Sequence, residues 1–170
     1  MRSNSSIWGQ NVTEHRIEKI VPHENHRILE NGNPVNDIAL IRVMSIFKTQ
    51  QAIELLKKYH TSMNNGSVII TGIAKRGREK RLMFMQASIW NEKNWDHSVD
   101  QICITYSGQS KMGALNGDFG DLMANEAKFL VSLHSVDGRY LDDDEHVAVY
   151  TSIASHYGWI LNQIGIQPNN

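Results

Sequence analysis

The sequence predicts an all-β fold finished by one α-helix, and three observations carry that expectation. Seven short runs rich in β-branched and aromatic residues alternate with turn signals along the 170 residues. Their spacing is that of an antiparallel sandwich or barrel. The last stretch alone places apolar residues on one face at sustained helical spacing.

Taken in order, the strand-like runs begin with HRIEKIV, which stops at Pro22, and DIALIRVMSIF, which follows the turn NGNP. SVIITGIA follows the turn MNNG, and RLMFMQASIW, QICITYS, KFLVSLHSV and EHVAVYT complete the set. TQQAIELLKKYH, with Ile53, Leu55 and Leu56 at mixed spacing, fits either a short helix or an edge segment. TSIASHYGWILNQI puts Ile153, Tyr157, Ile160, Leu161 and Ile164 on one helical face, with Thr151 or Ser152 as N-cap.

With 41% apolar residues the chain can bury a core, and its length fits a single domain. Lys+Arg 17 against Asp+Glu 18 leaves no global field to attract nucleic acid or an anionic membrane, so neither is expected as a partner. No run of about 18 apolar residues is present to span a bilayer, and the first ten residues, MRSNSSIWGQ, lack the apolar centre of a signal peptide. Asn-x-Ser/Thr sequons at Asn4, Asn11 and Asn65 fit a secreted chain, while the single Cys103 permits no intrachain disulfide and reads as a buried thiol.

Four segments, in order, resemble the chymotrypsin- and trypsin-like serine proteases. VPHENH is similar to the turn before that family's long loop, and NDIALIRV to the strand carrying the triad aspartate. QICITYSGQSKMGALNGDFGDLM resembles the region from the specificity pocket to the Gly-Asp-Ser-Gly-Gly-Pro-Leu signature, and HVAVYTSIASHYGWI the pocket-wall strand and terminal helix. The resemblance implies a trypsin-like double antiparallel β-barrel with a C-terminal helix and an active site between the barrels. It implies one domain over 1–170: a partial first barrel to about residue 60, a second barrel over about 65–150 and a helix over 151–165. The first barrel is expected to be incomplete, because no Ala-Ala-His-Cys segment, which holds the family's catalytic histidine, occurs in the chain.

Triad chemistry needs a nucleophilic oxygen, an imidazole to take its proton, a carboxylate to orient the imidazole and amide donors for the oxyanion. The resemblance assigns the carboxylate to Asp37 and the nucleophile position to Phe119, whose ring can neither attack a carbonyl nor transfer a proton. With no catalytic histidine, Asp37 has a plain alternative as a residue at the start of a strand, hydrogen-bonded to backbone. Gly117 and Phe119 would supply the oxyanion amides. Asp118 matches the aspartate that in the family pairs with a new N-terminus, and is expected to be exposed or unpaired, with the loop left zymogen-like.

In the pocket, the resemblance places Gly113 where members selective for basic residues carry aspartate, and Ala148 at a pocket glycine. Ser135 matches a serine at the edge of the substrate strand. Val136 and Asp137 replace an aromatic-glycine pair of the groove wall, disturbing the pairing that holds an extended peptide. Asp121 and Leu122 replace the signature's Gly and Pro. Cys103 corresponds to half of a family disulfide, with Trp95 near its partner's place, and Leu115 and Asn125 stand at two other cysteine positions.

His23 and His26, with Glu24, are too few and too poorly spaced for zinc, so no metal or cofactor is expected. The basic run KRGREKR, residues 75–81, reads as a solvated hairpin tip, with an acidic-partner surface as the alternative. The acidic loop LDDDE, residues 141–145, reads as solvated. The expectation is a catalytically inactive protease homologue, similar to the inactivated protease paralogues of parasitic mites. It would be extracellular by resemblance and act by binding a protein partner, as a decoy or regulator of a proteolytic or immune cascade. An active serine endopeptidase and a truncated, non-functional product are the rivals.

Overall fold

A computed structural model describes residues 2–3, 12–30, 32–47, 52–58, 67–76, 79–89, 100–107, 120–136, 140–142 and 145–166. The N-terminal part contributes short strands: β1 (Arg2–Ser3), β2 (Thr13–Glu14), β3 (Ile17–Pro22), β4 (Arg27–Ile28), β5 (Pro34–Val35), β6 (Ala39–Val43) and β7 (Glu54–Leu55). The remainder supplies β8 (Ser67–Arg76), β9 (Glu79–Ile89), β10 (Gln101–Ser107), β11 (Leu122–Asn125), β12 (Phe129–Val136), β13 (Tyr140–Asp142), β14 (Glu145–Ser152) and the helix α1 (Ile153–Ile164).

Six of these strands close into a barrel in the order β8, β9, β10, β14, β12, β11 and back to β8, every neighbour antiparallel. Strand alternation builds its interior: Val68 and Ile70 point inward from β8 while Ile69 between them stays exposed. Opposite stand Ala87 and Ile89, and Ile102, Ile104, Met123, Val131, Ala148 and Tyr150 complete the core. Closure leaves no open edge within this ring of strands.

Outside β12, the helix packs Ile153 and Ile160 against Leu130, Ile38 and the half-buried Leu40, Leu55 and Leu133. Ser152 caps it, its side chain accepting from the Ser155 amide, and Gly165 ends it in the left-handed region at φ 77°. The expected helix forms, with one change in its buried face: His156 is buried, whereas Ile164 is 52% exposed and Tyr157 only half-buried. A polar turn beneath His156 accepts the imidazole, and among the described residues the apolar cluster around Ile153 and Ile160 does not extend to Ile164.

Between the two alternatives for TQQAIELLKKYH, the chain takes the edge segment. Glu54–Leu55 pairs in parallel with Phe129 and Leu130, and the Leu56 amide donates to the Leu130 carbonyl at 3.0 Å. Residues 122–125, expected only as part of a loop, form β11 because Met123 fills the barrel centre and its neighbours complete the ring.

Strands β3 and β6 form a two-stranded ribbon with Ile20 opposite Ile41 and Val21 opposite Leu40. Leu40 faces the helix cluster. The alternate face carries Ile20, Pro22, Ala39 and Ile41, all exposed.

Candidate functional site

Asp37 lies on the turn between β5 and β6, and Ser135 is buried near the end of β12. The Ser135 hydroxyl donates to Asp37 Oδ2 at 2.6 Å. The carboxylate's partner is therefore a side chain from the barrel, not the local backbone partner weighed from sequence. A hydroxyl committed to a carboxylate is not poised to deliver its proton to an imidazole, so this serine holds Asp37 in place.

An imidazole nonetheless stands beside that carboxylate. His26, on the turn after β3, places Nδ1 4.0 Å from Asp37 Oδ1 and 3.3 Å from the Val35 carbonyl, to which it donates. Asp37 and His26 side chains are 41% and 40% exposed, so solvent reaches both. His23 turns the other way, stacking on Trp159 with centroids 4.8 Å apart. The two histidines diverge, and no cluster of three metal-ligating side chains occurs among the described residues.

Backbone contacts fix the turn that carries Asp37. The Asn36 amide donates to Asp100 Oδ2 at 2.7 Å, and Gln101 Nε2 donates to the Pro34 carbonyl at 2.6 Å. Asn36 itself sits in the left-handed region at φ 52°, a conformation asparagine adopts at lower cost than most residues. The start of β10 thus holds residues 34–37 against the barrel.

Downstream of the Phe119 position, Gly120 adopts φ 84° and its amide donates to the His134 carbonyl at 2.7 Å, while the His134 amide donates to the Asp121 carbonyl at 2.9 Å. The end of the glycine-aspartate loop is therefore pinned to β12 one residue before Ser135. Gly113, Gly117, Asp118, Phe119 and Asp137, together with Trp95 and Leu115, lie outside the described residues.

Ala148 is fully buried in the barrel core, paired with Ile104. Val136 is half-buried against Cys103 and Val149. Cys103 is a buried thiol whose pKa burial pushes up to about 11, which keeps it protonated and weakly nucleophilic. Asn125 accepts from the Phe129 amide through Oδ1 at 2.9 Å, closing the turn between β11 and β12.

The structure brings Asp37 and Ser135 together and places His26, Asn36, Asp100 and His156 in the surrounding network; sequence reasoning weighed His26 only as a zinc candidate and singled out none of the other three. The spacing of HENH marked a turn without indicating which ring faces the carboxylate. Asp100 precedes a strand and carried no motif.

No curated protein matches this chain. Among solved structures, the complex of kallikrein-related peptidase 10 with Zn2+ superposes at a TM-score of 0.72 and 16% identity, covering 91% of this chain and 75% of that one. Neuropsin, a serine protease expressed in the limbic system of mouse brain, superposes at 0.71 and 17% identity, covering 91% and 74%. These likenesses show the fold. The trypsin family model matches residues 3–160, nearly the whole chain, and with the closed barrel, the C-terminal helix and the Ser135–Asp37 pair on the page, the protein belongs to the trypsin-like serine protease family.

Proposed function

We propose that this trypsin-family chain is a pseudoprotease, a catalytically inactive homologue that acts by binding a protein. The observation that carries the reading is Phe119 at the nucleophile position of NGDFGDLM. Loss of the nucleophile alone costs on the order of 10⁶ in turnover.

Catalytic loss leaves the fold free to serve as a binding surface. Inactive members of the family act as decoys or regulators, and that role, in an extracellular proteolytic or immune cascade, is the one proposed. By the resemblance, Val136 and Asp137 replace the aromatic-glycine pair of the family's groove wall, a change that argues against capture of a peptide in the ordinary extended substrate mode. The partner is a protein: a protease, an inhibitor or another cascade component.

The test joins activity with capture. Purified protein is incubated with a fluorophosphonate that labels activated serines, and with a peptide-substrate library. Neither labelling nor turnover is expected, while the immobilised protein retains a protease or inhibitor from a proteolytic fluid. Turnover that follows the chain through purification would establish an endopeptidase and overturn the reading.

A further inference from the structure

Strands β8 and β9 pair without a break from Ser67 opposite Ser88 to Arg76 opposite Glu79. Along β8 the pairing with β11 stops at Ile70, and along β9 the pairing with β10 stops at Ser88. From Thr71 opposite Phe84 to Arg76 opposite Glu79, the two strands therefore have only each other as strand neighbours among the described residues. They form a ribbon that runs on past the closed barrel.

The last three register positions of that ribbon set Arg81 opposite Ala74, Lys80 opposite Lys75 and Glu79 opposite Arg76. Four cations against one carboxylate stand there, in a chain whose net charge is -1. Like charges directly across an antiparallel pair oppose its formation, yet Lys75 and Lys80 share one position. The acidic run lies at a different level: Asp142 pairs with Glu145, which stands opposite Ser107, two residues beyond the last pairing of β10 with β9. Arg81 is seven residues beyond Ser88 on β9, so roughly 17 Å along the strand separates the two levels, about two Debye lengths at physiological ionic strength. The basic positions keep their field.

We propose that this ribbon end is a docking surface for a sulfated glycosaminoglycan, held by Lys75, Arg76, Lys80 and Arg81. A linear polyanion sets several fixed charges against cations spaced about 3.3 Å along a strand and about 4.8 Å across it, and offsets the repulsion between Lys75 and Lys80. Arg76 and Arg81 add planar donor forks suited to oxyanions. No aromatic residue occurs from Ala74 to Arg81 to stack an unpaired base, which sets single-stranded nucleic acid aside. The choice of a sulfated polysaccharide over a nucleic acid duplex rests on the extracellular setting of the proposed function.

Titration of the purified full chain with a heparin oligosaccharide over a range of salt concentrations tests the surface. Binding at physiological salt is expected, weakening as salt rises with a log–log slope of about -3, because each neutralised anion releases counterions. Lys75→Ser with Lys80→Ser should weaken binding about tenfold or more. Lys80→Glu, which sets opposite charges across the ribbon and so favours its pairing, should do the same while the thermal transition stays at or above that of the parent. Heparin stripped of its sulfates should bind the parent no better than intact heparin binds the variants. No binding at physiological salt, a Lys80→Glu protein that binds as the parent does, or tighter binding of a DNA duplex or a polyglutamate peptide of equal charge would overturn the proposal. The readout uses no protease substrate, so peptide turnover would overturn the inactive reading and leave heparin binding to be decided by these variants.

Discussion

Ser135 and Asp37, 98 positions apart in the chain, are joined by a 2.6 Å bond in which the hydroxyl donates to the carboxylate. It ties the turn before β6 to the end of β12, so Asp37, to which the resemblance assigns the triad carboxylate, is located by the barrel. A charge-assisted bond of this type contributes about 1.5–3 kcal/mol when well shielded.

Ser135→Ala tests that tie. Asp37 is 41% exposed, so water replaces part of what the serine supplied, and the expected loss of stability is about 1 kcal/mol. Urea denaturation of the single variants and of Ser135→Ala with Asp37→Asn gives the coupling between them. A coupling indistinguishable from zero would mean that the bond does not hold the turn.

On the proposed reading, Phe119→Ser restores a hydroxyl at the position that the resemblance assigns to the nucleophile, without the base that would take its proton. No gain in peptide hydrolysis or fluorophosphonate labelling is expected from this variant, since a serine acts as a nucleophile only with an adjacent base. Labelling comparable with that of an active trypsin would place a competent base, His26 or another, in reach of position 119.

How legible the molecule was depended on the kind of physics involved. Strands of the barrel announced themselves as strand-like runs between turn signals, whereas their inward faces did not: Val68, Ile69 and Ile70 are all apolar, yet only Val68 and Ile70 are buried. Residues 122–125 escaped notice because four residues are too few to show a period, and Met123 earns its place only through five other strands. The helix was legible from its apolar face, yet His156 joined the buried set for a tertiary reason: a polar turn 120 positions away. Asp37 and Ser135 were legible through resemblance, whereas the approach of His26 depends on a turn geometry that no residue spacing encodes.

Ile104→Ala probes the barrel core. Ile104 is fully buried on β10, between β9 and β14, and removing its side chain leaves a cavity that closed strands cannot collapse around. The expected cost is about 2–5 kcal/mol, measured by urea or thermal unfolding. Ile69→Ala, on the neighbouring exposed face of β8, should cost under about 1 kcal/mol, and equal losses at the two positions would contradict the inward and outward assignment.

Ile20 and Ile41 face each other across the β3–β6 ribbon and are 57% and 49% exposed. An uncharged face on a short ribbon favours association between molecules. Ile20→Lys with Ile41→Glu places opposite charges across the strands and should lower light scattering at high concentration, while stability stays within about 0.5 kcal/mol of the parent. Unchanged scattering would move the association-prone surface elsewhere.

Cys103 provides the last test, and its sign follows from burial. Its thiol is pushed up to about 11 because the low-dielectric surroundings of Val149 and Val136 disfavour the thiolate. The folded state therefore holds the thiol proton to higher pH than the unfolded chain does. The resulting contribution to stability is fully present below the ordinary cysteine range, and is lost as pH rises from about 8.5 to the folded value of about 11. Alkylation by iodoacetamide at pH 8 should accordingly be slow in the native protein and fast in denaturant, because only the thiolate reacts. Native-state labelling at the rate of a free model thiol would show that the space between β10 and β14 is open to water and that the β12–β14 wall does not cover it.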